Sequence, residues 1–272
     1  MAATDVAAII IFAVAVVMTR ESKPMPDFLI TPQQRRIAYH LSDGTGPTVV
    51  FLGGFKSDMG GTKAVHLAAW AKSQGRAFLR FDYSGHGESS EAFTDGAIGD
   101  WFEDAVAALG LITGPLVLVG SSMGGWISLL VARHMPDRIA GLVTIAAAPD
   151  FTQDSMWAGF DDAQKVALAT DGQVALPSDY GDPYIITRRL IEEGRARLVL
   201  RDPLVLPFPT RFLQGTADAD VDTSVALRLL DHATGPDMRL TLVDGADHRF
   251  SDTACLDLIT ASVADVIAVG CV

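Results

Sequence analysis

The strongest constraint on the fold of this chain is a pentapeptide, Gly120-Ser121-Ser122-Met123-Gly124, that lies between an apolar segment and a helical one. Residues 116–119 are all aliphatic, as in a buried strand, and residues 123–134 have helical spacing. A G-x-S-x-G turn between a strand and a helix projects its serine from a tight backbone, and the flanking glycines leave room for that turn. This context predicts Ser122 as a nucleophile, whereas Ser121 has no glycine two positions before or after it.

Apolar strands and helices alternate along most of the chain after residue 36. The predicted strands are residues 37–41, 48–52, 77–82, 116–119, 139–146, 210–213 and 239–243. The predicted helices are residues 63–72, 98–109, 123–134, 185–193, 223–230 and 252–269. Nearly continuous apolar strands separated by helices predict the α/β class, with a mostly parallel central sheet covered by helices on both faces.

The alternation is interrupted between residues 150 and 207. This segment holds scattered proline, glycine and aromatic residues around a single clear helix at residues 185–193. An irregular stretch of this length inside an α/β core predicts a small cap or lid over one end of the sheet. The core then consists of residues 25–149 and 208–272.

The first 24 residues need a separate interpretation. Residues 6–18, VAAIIIFAVAVVM, form an apolar run of 13 residues, which is short beside the roughly 20 of a membrane span. A signal peptide begins with positive charge, whereas Asp5 is the one charged residue ahead of this run. We interpret residues 1–24 as an over-extended start, with a signal or anchor segment as the alternative. The run would also allow weak membrane association.

Composition excludes several classes of function. Lys plus Arg number 21 and Asp plus Glu 33, giving a net charge of −12, so a nucleic-acid partner is not expected. The cysteines, Cys255 and Cys271, form no C-x-x-C pair of the kind that binds a metal or acts in redox chemistry. No metal or organic cofactor is expected. A cytoplasmic location fits best, with a membrane-anchored or exported protein as the alternative if residues 1–24 are genuine. Oligomeric state is left open.

A serine nucleophile needs a base and a carboxylate that orients the base. In chains with a G-x-S-x-G turn these partners follow the serine, in loops after late strands. His248 follows the predicted strand 239–243, and both Asp218 and Asp220 follow the strand 210–213. The residues alone leave the choice between the two aspartates open. His86, in a Gly-His-Gly turn, could line the site but precedes the serine.

Two backbone N–H groups are expected to bind the negative oxygen that forms when the serine attacks. One belongs to Met123, directly after the nucleophile, and the other should come from the loop after strand 48–52. Gly53 and Gly54 let the chain turn there, which places Phe55 at the second position.

Several longer motifs resemble a known family. These are residues 52–55 (LGGF), 61–64 (GTKA), 80–85 (RFDYSG), 120–126 (GSSMGGW) and 247–249 (DHR). From about residue 36 to 268 the chain resembles the α/β-hydrolase superfamily, and more closely the abhydrolase-domain palmitoyl-protein thioesterases, also described as acyl-glucuronide esterases. The resemblance implies an α/β-hydrolase fold. Its G-x-x-D-x-x-V pattern falls on Gly215, Asp218 and Val221, which favours Asp218 as the acid and leaves Asp220 to form a turn or cap the next helix.

Together these observations predict a serine hydrolase of a carboxylic ester or an acyl thioester, acting through an acyl-enzyme intermediate on a small acyl ester or an acylated thiol. A carbon–carbon bond hydrolase of the same fold and a non-catalytic binding protein are the alternatives. Apolar residues of the predicted cap could form an acyl pocket or could only pack the cap onto the core. These residues are Met156, Trp157, Phe160 and Leu176.

Overall fold

The computed structural model describes residues 25–177 and 183–270. The interpretations of residues 1–24 and of Cys271 therefore lie outside the described residues. The strands are β1 (Asp27–Ile30), β2 (Arg36–Ser42), β3 (Thr45–Leu52), β4 (Arg76–Phe81), β5 (Leu116–Ser121), β6 (Ile139–Ile145), β7 (Gln173–Leu176), β8 (Tyr184–Thr187), β9 (Leu204–Val205), β10 (Thr210–Gly215), β11 (Ala233–Thr234) and β12 (Met238–Val243). The α-helices are α1 (Thr62–Ser73), α2 (Ile98–Leu109), α3 (Met123–His134), α4 (Asp162–Thr170), α5 (Arg188–Arg195), α6 (Thr223–His232) and α7 (Thr253–Gly270).

One eight-stranded sheet organises the described part of the chain, in the order β1-β2-β4-β3-β5-β6-β10-β12. From β4 to β12 every neighbouring pair is parallel, whereas β1 and β2 join the sheet antiparallel. The predicted mostly parallel α/β sheet is thus confirmed. The edge strand β1, which the sequence pattern did not predict, is held by the pairing of Phe28 with Ala38 and by the Arg36 guanidinium over the Phe28 ring.

Helices cover both faces of the sheet, as predicted. Along β5 the side chains alternate: Leu116 and Leu118 belong to one hydrophobic cluster, and Val117 and Val119 to another. This is the two-residue period of a strand that is buried on both faces. The first cluster includes residues of α2 and α3, and the second includes residues of α1 and α7.

Helix α7 is long and apolar enough to cross a membrane by length and composition, and it alone has this property among the described residues. Its Ile259, Val263 and Val266 are buried in the second hydrophobic cluster. At Gly141, on β6, a Cβ atom would lie only 2.9 Å from the Cβ of Val266. Helix α7 therefore packs closely on the sheet as a core helix.

The segment predicted as a cap has more regular structure than expected. The predicted helix at residues 185–193 begins too early, because strand β8 occupies Tyr184–Thr187. Thr187 caps α5 by accepting the Leu190 N–H at 3.1 Å. Helix α4 and the β7–β8 hairpin were not predicted. Helix α4 has a single buried residue, Leu168, and so shows little apolar periodicity.

Candidate active site

Ser122 lies at the turn between β5 and α3 with φ 55° and ψ −117°. A non-glycine residue in this conformation is strained and persists only when its surroundings fix it. Here the Ser122 N–H donates to the Ile145 carbonyl at 2.9 Å, and its own carbonyl accepts from Gly125 and Ala148 N–H groups at 2.9 and 3.1 Å. The neighbouring strand and the first turn of α3 therefore hold the serine in place.

The motif glycines allow the start of α3 to approach the sheet. A Cβ atom at Gly124 would overlap the carbonyl oxygen of Leu52, at the end of β3. A Cβ atom at Gly120 would overlap the Ser128 hydroxyl and the backbone of α3. This close approach brings the N-terminus of α3 beside the loop that follows β3.

The structure brings the three predicted catalytic side chains into one chain of hydrogen bonds. His248 Nε2 lies 3.1 Å from Ser122 Oγ, and His248 Nδ1 lies 2.9 Å from Asp218 Oδ2. The Asp218 carboxylate is fully buried, and the His248 ring is mostly buried. An ionised carboxylate can only accept, so Nδ1–H donates to Asp218 and Nε2 is left to accept a hydrogen bond from the Ser122 hydroxyl.

The buried Asp218 carboxylate is surrounded by donors. Its Oδ1 accepts the N–H groups of Asp220 and Val221 at 2.9 and 2.8 Å, and its Oδ2 also accepts from Gln214 Nε2 at 3.0 Å. Burial by itself would raise the pKa of Asp218, but the hydrogen bonds from His248 and these N–H groups outweigh it and lower that pKa. Sequence reasoning missed Gln214, which holds the same oxygen that faces the histidine.

The structure distinguishes the two candidate acids. Asp218 makes the hydrogen bond to His248, while Asp220 is exposed. A carboxylate oxygen of Asp220 nevertheless lies within 4.8 Å of a ring nitrogen of His248 and an oxygen of Asp218. Of the two roles expected for Asp220, a turn or a helix cap, the cap is wrong, because Asp222 caps α6 by accepting the Ser224 N–H at 2.8 Å.

Backbone hydrogen bonds connect the loop of the acid to the loop of the histidine. Strands β10 and β12 are parallel neighbours, so both loops leave the same edge of the sheet. The Thr216 N–H donates to the Val243 carbonyl at 2.9 Å, and the Ala217 N–H donates to the Ala246 carbonyl at 3.0 Å. At Gly215 a Cβ atom would overlap that Ala246 carbonyl. The loops of Asp218 and His248 are thus held at a fixed separation.

Lys63, in the first turn of α1, supports the histidine loop from the other side. Its Nζ donates to the carbonyl oxygen of Arg249, directly after His248. Burial lowers the pKa of Lys63 to about 8, with the nearby Asp247 opposing this and Arg249 adding to it. Lys63 belongs to the GTKA motif. Its contact with Arg249, which is distant in sequence, could not be predicted from residue spacing.

The two predicted oxyanion donors lie on the loop after β3 and at the start of α3. A Cβ atom at Gly54 would lie 3.3 Å from the Cβ of Ser122, so this loop adjoins the nucleophile. The Ser57 hydroxyl donates to the Gly54 carbonyl at 2.8 Å and stabilises the turn. Within residues 25–177 and 183–270, the N–H groups of Phe55 and Met123 have no hydrogen-bond acceptor, which leaves both available to an oxyanion.

His86 is buried behind this loop and does not line the site. Its Nε2 accepts the Lys56 N–H at 3.2 Å, and its Nδ1 donates to the Ser84 carbonyl at 3.1 Å. Burial lowers the pKa of His86 to about 4, aided by the Lys56 charge and opposed by the Ser84 contact. A neutral His86 therefore positions the residue next to Phe55, a role that sequence reasoning missed.

The four cap residues predicted to bind the acyl group contribute to packing. Phe160 is buried in the first hydrophobic cluster, and Met156, Trp157 and Leu176 are half-buried against it. Trp157 also lines a cleft between α4 and α5 that none of the three catalytic candidates lines. Their contact with an acyl group stays a prediction.

A group of aromatic rings surrounds Phe55, which directly follows Gly54 on the loop that adjoins Ser122. The Phe55 ring makes edge contacts with four rings at centroid distances of 4.8 to 6.0 Å. These rings belong to Phe93, Trp101, Phe151 and Tyr184. Phe151 and Tyr184 come from the segment predicted as the cap. The apolar surroundings of residues 53–57, which we call the oxyanion loop, are therefore shared by core and cap.

A parallel sheet that carries a serine at a strained strand–helix turn, with an acid and a histidine on the loops after late strands, defines the α/β hydrolases. Residues 45–205 match the family model described as serine aminopeptidase, S33. The chain is 34% identical over 243 residues to the mitochondrial palmitoyl-protein thioesterase ABHD10 of Rattus norvegicus, covering 88% of this chain and 82% of that protein.

Two solved structures are similar over nearly the whole described chain. A putative hydrolase from Agrobacterium vitis S4 has a TM-score of 0.86 at 38% identity, covering 90% of this chain and 100% of that chain. Mouse α/β hydrolase domain-containing protein 10 has a TM-score of 0.83 at 31% identity, covering 90% and 99%. The chain therefore belongs to the α/β-hydrolase family and is a hydrolase with thioesterase relatives, which confirms the resemblance drawn from the motifs.

Replacing the two neighbouring aspartates should have unequal effects. Asp218→Asn removes the charge that stabilises the imidazolium and presents an NH₂ to Nδ1, so we expect kcat/KM to fall about 10²- to 10⁴-fold. Asp220→Asn removes an exposed charge near His248, and we expect a loss of only a few fold. The measurement is kcat/KM on one activated ester, with circular dichroism to show folding. Equal losses would contradict the assignment of Asp218.

The stability of the protein should depend on the protonation of His86. The pKa of His86 is about 4 in the folded chain and 6.5 ordinarily, so between these values the unfolded state binds the extra proton. The free energy of unfolding should then decrease as pH falls from 6.5 to 4, by up to about 3 kcal/mol from this residue. His86→Gln keeps an acceptor for the Lys56 N–H and should flatten the dependence. The measurement is the free energy of unfolding of wild type and His86→Gln, from denaturant titrations at each pH. An equal decrease in both proteins as pH falls would contradict this.

Proposed function

We propose that this protein is a serine hydrolase that cleaves a carboxylic ester or an acyl thioester through an acyl-enzyme intermediate. The observation that supports it most directly is the chain of hydrogen bonds from Asp218 through His248 to Ser122, at 2.9 and 3.1 Å. Beside it lie two backbone N–H groups, of Phe55 and Met123, that have no acceptor in the described part of the chain. This combination is the machinery of acyl transfer.

In the first half of the reaction, Ser122 Oγ attacks the acyl carbonyl carbon while His248 Nε2 removes the hydroxyl proton. The carbonyl electrons move to oxygen, and the N–H groups of Phe55 and Met123 bind the resulting oxyanion. Asp218 stabilises the imidazolium because it stays ionised and accepts the Nδ1–H. His248 then returns the proton to the leaving alkoxide or thiolate, and the bond to the leaving group breaks.

In the second half, water replaces the leaving group. His248 removes a proton from this water, which attacks the carbonyl carbon of the acyl-serine ester. The same two N–H groups bind the second oxyanion. Collapse of the intermediate returns the proton to Ser122 Oγ and releases the carboxylic acid, which restores the starting state.

The acyl group is expected to be apolar. The loop that carries Phe55 lies among the rings of Phe93, Trp101, Phe151 and Tyr184, a setting that suits a hydrocarbon chain better than a polar one. The names of the ABHD10 relatives as palmitoyl-protein thioesterases support a thioester among the substrates. The same triad serves oxygen esters, since only the leaving atom differs.

Ser122→Ala should abolish turnover and leave the fold intact. Loss of the nucleophile typically lowers kcat by about 10⁴- to 10⁶-fold. The measurement is steady-state hydrolysis of a p-nitrophenyl ester and of an acyl-cysteine thioester, with circular dichroism for each variant. Ser121→Ala, which removes the adjacent hydroxyl of the same motif, is the matched control and should stay within about threefold of wild type. A folded Ser122→Ala protein with more than about a tenth of the wild-type rate would contradict the proposal.

A further inference from the structure

Lys56 directly follows the oxyanion donor Phe55 and has a fixed backbone. Its φ is 55°, in the left-handed region that non-glycine residues rarely adopt. The hydrogen bond from its N–H to buried His86 holds this conformation. The direction in which the Lys56 side chain leaves the loop is therefore set by the loop itself, on the side where Phe55 also points.

The Lys56 ammonium lies against the same rings as Phe55. Its Nζ is 5.2 Å from the centroid of Phe93 and 4.9 Å from that of Tyr184, and the Phe55 ring contacts both, at 4.8 and 5.9 Å. Cation–π contact with two rings orders a lysine side chain that would otherwise be mobile. The charge is thus held beside the oxyanion loop, between a core residue and a cap residue.

This ammonium has no carboxylate within ion-pair distance in residues 25–177 and 183–270. By contrast, Arg35 and Arg211 each pair with at least two carboxylates. In a chain of net charge −12, an anionic molecule is repelled by most of the surface. Within the described residues, Lys56 is therefore an exposed positive charge next to the candidate active site that no ion pair neutralises.

We propose that Lys56 forms an anion-binding subsite beside the candidate active site, and that the preferred substrates carry a carboxylate or phosphate group on one side of the scissile bond. The inference rests on the proposed hydrolase function. An ammonium is a compact charge with three donors that suits either anion, and a charge-assisted hydrogen bond next to apolar rings is stronger than one in open water. The substrate would thus be amphipathic, with an apolar acyl part and an anionic group near Lys56.

The test compares matched anionic and neutral substrates. One pair places the charge on the acyl side, with the p-nitrophenyl ester of glutaric acid and that of its monomethyl ester. The other places it on the leaving group, with butanoyl thioesters of phosphopantetheine and pantetheine. For each pair, the ratio of kcat/KM for the anionic to the neutral substrate is measured in wild type, Lys56→Met and Lys56→Arg. Lys72→Met, at an exposed lysine on α1, is the control.

In at least one pair we expect the ratio to fall about fivefold or more in Lys56→Met, mainly through KM. Lys56→Arg should keep the wild-type ratio to within about twofold, and the Lys72→Met ratio should not change. Added salt should reduce the wild-type ratio. Because each ratio is taken within one variant, any distortion of the oxyanion loop cancels.

Unchanged ratios in both pairs with Lys56→Met would overturn the inference. They would indicate that Lys56 only holds the cap residue Tyr184 against the core, since both substrates of a pair would then be affected alike. Absence of turnover of every substrate by wild type would instead overturn the proposed function, and this inference with it.

Discussion

The strained backbone of Ser122 is the feature on which the rest of the candidate site depends. A left-handed residue at the end of β5 turns the chain abruptly into α3, and this turn is stable because Gly124 lets the helix contact the end of β3. The same contact places the Met123 N–H beside the loop of Phe55. The positions of Ser122 and of the N–H groups of Phe55 and Met123 thus follow from one packing arrangement. Any side chain larger than hydrogen at position 124 would force β3 and α3 apart.

Asp218 and His248 are held in place by electrostatic interactions and by the arrangement of strands in the sheet. Strands β10 and β12 are neighbours, so the loops of Asp218 and His248 leave the sheet side by side and share backbone hydrogen bonds. Asp218 stays ionised although it is buried, because four donors compensate for the loss of water. Lys63 and His86 hold the histidine loop and the oxyanion loop from outside the triad. Placement in this site therefore depends also on side chains outside the three catalytic candidates.

The α/β core could be predicted from the sequence because it leaves local signals, and so could the meeting of Ser122 with His248. Their catalytic roles stay a prediction. Helix α3 has the predicted bounds, since apolar periodicity and Pro136 define it. The acid was ambiguous by spacing, and only the family pattern favoured Asp218. Helix α4 was not predicted because Leu168 is its single buried residue, so apolar periodicity is weak. Asp161 and Gln164 nevertheless form a capping box at its start. The supporting roles of Gln214, Lys63 and His86 depend on side-chain contacts that periodicity does not report.

Covalent capture of the nucleophile tests the central claim most directly. A long-chain fluorophosphonate reacts with a serine only when its hydroxyl is activated and an oxyanion site is formed. After reaction with the folded protein, peptide mapping by mass spectrometry should locate one phosphonyl group on Ser122, and protein unfolded beforehand should not react. A label on Ser121 or on another side chain, or an active enzyme whose Ser122 stays unlabelled, would contradict the account.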